Sequence, residues 1–138
     1  MTQGRHAEVV IEVPFHDLDP VGIVWHGHYA KYLEIARCTL LQSFDYNYDR
    51  MLESGYSWPV IDLHTRFVKP AVFAQRLRVR ATLEEWEYRL RIGYRIFDLA
   101  TGERICTART DQVAVDRKTG TMCLRSPAVL FERLGLAP

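Results

Sequence analysis

Little in this chain serves disulfide chemistry, membrane insertion or polyanion binding. Its three cysteines, Cys38, Cys106 and Cys123, are odd in number and lack Cys-x-x-Cys spacing. That argues against a disulfide framework or a structural zinc site, so no metal is expected and a reducing cytoplasm is the expected location. No stretch approaches the roughly eighteen apolar residues of a spanning helix, and the polar opening MTQGRHAE contains no signal-like run. A membrane association is therefore not expected. Lys and Arg total 18 against 17 Asp and Glu, a formal charge of +1 that gives no reason to expect a nucleic-acid partner. Internal repeats, low-complexity tracts and linkers are likewise missing.

What the chain does have is core-forming residues in quantity. At 138 residues, 48% hydrophobic and 25% charged, it fits one domain spanning 1–138. Val9, Ile11, Val13 and Phe15 alternate with Glu8, Val10 and Glu12 and predict a first strand. Residues 58–68 predict another, with Ile61, Leu63, Thr65 and Phe67 on one face, ended by Lys69 and Pro70. Leu77, Val79, Ala81 and Leu83, then Leu90, Ile92, Tyr94 and Ile96, alternate with arginines and predict a hairpin. A long strand over 104–115 follows, and Ser126-Pro127 reads as the N-cap and first position of a short helix. One long helix and a run of antiparallel strands give an α+β plan, the helix lying across a curved sheet.

The segment FHDLDPVGIVWHGHYAKYLEIAR, residues 15–37, holds the candidate chemistry. Asp17 and Asp19 flank Leu18 in an extended, Pro20-terminated stretch, and Gly22 allows a turn. From His26 onward Tyr29, Leu33, Ala36 and Leu40 recur at helical spacing, with Tyr32 and Ile35 widening the apolar stripe. The first amides of that helix, near His26 and Gly27, have no partner within it and carry the positive end of its dipole. A carboxylate beside such an oxyanion site points to acyl transfer to water. Asp17 is expected to stabilise the turn, and Glu34 and Arg37 to form an ion pair along the helix.

The ordered set Asp17, Asp19, Gly22, Ile23, Val24, Trp25, Tyr29, Leu33, Glu34, Ala36 and Arg37 resembles the opening of the 4-hydroxybenzoyl-CoA thioesterase family, small hotdog-fold hydrolases of acyl thioesters. The resemblance implies a long central helix wrapped by a curved antiparallel sheet, in homodimers or homotetramers with active sites at the dimer interface. It implies Asp19 as the catalytic carboxylate, acting as general base or nucleophile, with the His26 amide polarising the carbonyl. A related branch of short-chain acyl-CoA thioesterases carries a catalytic His at the position of His26. That branch often has Tyr where this chain has Phe15, so one hydroxyl of its arrangement is missing here.

Substrate contacts are expected from Trp25, Gly27, Tyr29 and Trp58, whose aromatic rings suit an acyl pocket. Lys69 and Arg89 are the candidates for contacting coenzyme A or phosphopantetheine. Glu87 and Tyr88 replace two basic residues of the resembled enzyme, which brings an acyl carrier protein thioester into view beside acyl-CoA. No cofactor is expected. A hotdog dehydratase or hydratase, or a non-catalytic acyl-thioester binding module, is the alternative reading.

Overall fold

The computed structural model describes residues 5–138. Strand β1 (His6–Glu12) leads through a short 3-10 turn at Phe15–Asp17 and a second at His26–His28 into helix α1 (Tyr29–Ser43). Helix α2 (Tyr48–Glu53) and a two-residue strand β2 (Tyr56–Ser57) connect to β3 (Val60–Phe67). Strands β4 (Arg76–Glu85), β5 (Leu90–Asp98) and β6 (Arg104–Gln112) follow, then β7 (Val115–Asp116) and helix α3 (Ala128–Leu134). The main sheet is antiparallel with order β1-β4-β5-β6-β3, so β1 and β3 are its edges.

Alternation explains the layering. On β4 and β5 every second residue, Leu77, Val79, Ala81, Leu83, Leu90, Ile92, Tyr94 and Ile96, is buried, and the arginines between them face the other way. Helix α1 lies across that apolar face, contacting β1 and β4, and buries Tyr29, Tyr32, Leu33, Ala36, Leu40 and Leu41. Register shifts within the β3–β6, β4–β5 and β5–β6 pairs bend the sheet around the helix. Truncating Leu33, which is fully enclosed, costs about 2–5 kcal/mol on the usual scale for a buried leucine.

Several local expectations need correction. Strand β1 ends at Glu12, before Pro14, so Phe15 leaves the strand and lies exposed against Phe73. Ile35 faces solvent, and Arg37 takes the buried side instead, its guanidinium donating to the hydroxyls of Tyr48 at 2.9 Å and Tyr94 at 3.3 Å. The Arg37–Glu34 pair forms at 3.5 Å. Helix α3 is entered from Pro127 without a side-chain cap, and the Ser126 hydroxyl is buried without a partner. The long strand over 104–115 breaks after Gln112, where the chain turns away to pair β7 with β2. Among the described residues, no helix is long and apolar enough to cross a membrane.

Candidate active site

The two aspartates of the DxD segment do different work. Asp19 closes its own turn: its Oδ1 accepts from the Val21 amide at 2.9 Å and the Ile23 amide at 3.4 Å, and its backbone N–H donates to the Ile23 carbonyl at 2.8 Å. Gly22 has φ of +92°, a conformation that suits glycine and lets the chain reverse within so few residues. These amides fix Oδ1, while Oδ2 has no hydrogen-bond partner among the described residues. The turn is stitched to the segment after β3 by the Val24 amide, which donates to the Ala71 carbonyl at 2.9 Å.

Asp17 does not serve the turn through its side chain. It is fully buried and reaches across to α1, accepting from Lys31 Nζ at 2.7 Å and from the Tyr32 hydroxyl at 2.6 Å. His28 Nδ1 lies 3.9 Å away. Burial alone would raise this carboxyl, but the hydrogen bonds and charge of its partners prevail and hold it below the ordinary aspartate value. Its backbone carbonyl accepts from the Trp25 amide at 3.0 Å. Asp17 thus ties the segment bearing Asp19 to the start of the helix.

A cavity of about 200 Å³ opens at this junction, lined by Asp19, Ile23, Val24, His26, Tyr29, Phe67, Val68, Lys69 and Pro70. The structure therefore brings Asp19, His26, Tyr29 and Lys69 to one place. Tyr29 is buried, its hydroxyl accepting from the Ala71 amide at 3.2 Å and its ring meeting Phe67 edge-on with centroids 5.0 Å apart. The helix proper begins only at Tyr29, after the 3-10 turn at His26–His28. Among the described residues, the amides of His26 and Gly27 donate to no backbone acceptor.

Trp25 and Gly27 form one unit on the helix start. The indole lies over Gly27 so closely that a Cβ there would run into its ring, and it contacts both His26 and His28, with centroids 5.2 and 5.3 Å apart. Trp25 is beside the cavity rather than on its wall.

The remaining expected contacts fall elsewhere. Trp58 is in the core, its indole N–H donating to the Tyr46 hydroxyl at 3.2 Å, and it does not reach the cavity of its own chain. Arg89 is held by Glu85 at 3.3 Å and Asp111 at 3.7 Å. Lys69, although on the rim, is taken by Glu103 at 2.7 Å.

Sequence reasoning missed two parts of this arrangement. Phe67, Val68 and Pro70 as cavity wall had only a weak signal, the strand-ending Lys-Pro. The link from Asp17 to Lys31 and Tyr32 had none, because it joins residues a helical turn and a loop apart.

A long helix wrapped by an open, curved antiparallel sheet, with Asp19 and His26 lining one cavity at the helix start, is the arrangement of the hotdog-fold thioesterases. The chain belongs to the thioesterase-like superfamily, whose family model matches residues 13–133. A Synechocystis sp. protein named "Putative esterase sll0410" is 31% identical over 128 residues, 92% of this chain and 77% of that one. "Putative acyl-CoA thioesterase YneP" of Bacillus subtilis is 28% identical over 110 residues, 79% of each chain. The solved structure of DHNA-CoA thioesterase from Staphylococcus aureus superposes with a TM-score of 0.79 at 25% identity, covering 86% of this chain and 80% of that one.

Proposed function

We propose that this protein hydrolyses an acyl thioester to free acid and thiol, with Asp19 as the reacting carboxylate. The observation that carries the reading is the meeting of Asp19, His26 and Tyr29 on one cavity in a chain of the thioesterase-like superfamily. With Oδ1 fixed by turn amides, Oδ2 is left to take a proton from water as hydroxide adds to the carbonyl carbon. Alternatively Oδ2 attacks the carbonyl itself and water then cleaves the mixed anhydride. In either route the oxyanion is received by the amides of His26 and Gly27. Collapse expels the thiolate, which in the general-base route takes back the proton held by the Asp19 carboxyl, and in the anhydride route, where that carboxyl is acylated, takes one from solvent water at the His26 side.

The acyl group rests against the packed Tyr29–Phe67 pair that lines the cavity. Trp58 is buried in the core of its own chain and does not line this cavity, so further walls for an acyl pocket come from a partner subunit. Such a partner is expected: β3 is a sheet edge with unpaired backbone groups, and Ile61, Leu63, Phe67 and Val68 on and after it are about half exposed. Edge-to-edge pairing of β3 in a homodimer, or in a tetramer of two such dimers, covers that surface and encloses the cavity.

Acyl-coenzyme A is the first substrate class, in keeping with the relatives named as acyl-CoA thioesterases. Lys69 and Arg89 are already engaged by carboxylates, so neither offers a free charge to the nucleotide phosphates. That favours an acyl carrier protein thioester as the second reading, because a phosphopantetheine arm carries a single phosphodiester. Three unpaired cysteines agree with a cytoplasmic location.

The test is thiol release from short-chain, long-chain and aromatic acyl-CoA and one acyl carrier substrate. Asp19→Asn lowers kcat by about 10²–10⁴-fold with the fold intact. Wild-type reactions that yield no thiol, or that change chain unsaturation without releasing thiol, overturn the hydrolase in favour of a binding module or a dehydratase.

A further inference from the structure

The side of the sheet facing away from α1 holds a second cavity, of about 480 Å³, lined by Arg80, Thr82, Glu84, Gly93, Arg95, Arg104 and Thr107 with Phe97. None of these residues belongs to the hydrolase site. Strand register places Arg80 directly opposite Arg95, Arg95 opposite Thr107, and Thr107 opposite Arg66 on the edge strand. Like charges facing each other across a strand pair destabilise a sheet.

Elsewhere on this face three arginines are paired. Arg91 grips Asp111 with two hydrogen bonds, of 2.8 and 3.0 Å, Arg78 reaches Glu8 at 3.3 Å, and Arg109 lies 3.8 Å from Asp62. Around the cavity the pairing is only partial. Among the described residues, Arg66, Arg95 and Arg104 have no carboxylate partner. Arg80 is shared, lying 3.8 Å from Glu8 and meeting His6 Nε2 through Nη2 at 3.1 Å, although its Nε is buried without a hydrogen bond. Glu84 is the one carboxylate on the wall, against three arginines, and makes no ion pair with them. It folds down over Gly93, so that a Cβ there would run into its carboxylate. A concave surface of small-molecule size thus presents the uncompensated guanidinium groups of Arg95 and Arg104, with Arg80 beside them, and two threonine hydroxyls.

We propose that this cavity binds a phosphate-bearing small molecule, held by Arg80, Arg95 and Arg104 with hydrogen bonds from Thr82 and Thr107. The site is independent of the hydrolase reading, since its residues share no contact with Asp19 or His26.

The test is calorimetric titration of the full chain with inorganic diphosphate, at an ionic strength held constant with sodium chloride, alongside thermal unfolding. Adenosine diphosphate and coenzyme A are titrated in parallel, and the tightest of the three identifies the source of the phosphate. Saturable binding at one site per chain, with a rise in Tm, is expected. Arg95→Gln and Arg104→Gln, both exposed, should each weaken binding about tenfold or more. Arg95→Gln should also unfold at a higher temperature than wild type when no anion is present, because the repulsion across Arg80 is relieved. Three results overturn the proposal: no saturable binding, a Tm rise reproduced by sodium chloride alone, or binding that survives Arg95→Gln and Arg104→Gln but is lost in Lys69→Gln or Arg89→Gln.

Discussion

Replacing Asp17 by Ala should destabilise the protein more than replacing any exposed acid, because two donors on α1 depend on it. Each hydrogen bond to a charged group contributes about 1.5–3 kcal/mol. The Lys31 side chain is 47% exposed and recovers much of its loss from water, so its share is small. Tyr32 is only 1% exposed, and its hydroxyl is left as a buried orphan costing about 1–3 kcal/mol. The sum is about 3 kcal/mol, readable by urea unfolding. Asp17→Asn keeps the shape and one acceptor and should lose about half as much.

The pH dependence has a definite sign. The folded-state pKa of Asp17 lies below the ordinary value of 3.8, so its ionised form stabilises the fold. That stabilisation is fully present well above pH 3.8 and fades as pH falls below it toward the folded value. The gap between wild type and Asp17→Asn should therefore persist at neutral pH and narrow below about pH 4. A cost under about 1 kcal/mol for Asp17→Ala, or a gap that does not narrow in acid, refutes the claim that Asp17 fastens the segment bearing Asp19 to α1.

Other outcomes follow from the same geometry. Gly27→Ala pushes the Trp25 ring off the helix start, so turnover should fall and indole emission shift to the red while the fold survives; unchanged emission would mean that the indole does not rest there. Leu63→Asp on the exposed edge strand should yield a monomer by light scattering and lose activity, and a variant that stays oligomeric and active removes β3 from the interface. Burial pushes the Cys106 thiol up to about 12, so at pH 8 a thiol reagent should label Cys38 and Cys123 first and reach Cys106 only on unfolding; equal rates for all three would contradict its burial.

Much of the fold was readable in the chain itself, because alternation on β4 and β5 and helical spacing along α1 are local patterns. Each records which side of an element must leave water. The DxD-Gly-aromatic run was legible for the same reason, since Asp19, Gly22 and the Asp19-capped turn lie within five residues of one another. Where the pattern was ambiguous the neighbours decided. Ile35 and Arg37 exchanged expected environments because Tyr48 and Tyr94, distant in sequence, offer hydroxyls to the guanidinium. Phe15 left its strand because Pro14 ends the ladder.

By itself the sequence determined the helix, the strands, the turn that presents Asp19 and the open amides at His26 and Gly27, all of which arise from short-range sterics and hydrogen bonding. Only the tertiary structure decided that Asp17 fastens to Lys31 and Tyr32 while Asp19 faces the cavity, and that Phe67 and Pro70 close its wall. It also set Arg80 opposite Arg95, because cross-strand register is fixed by how whole strands bury their apolar faces together.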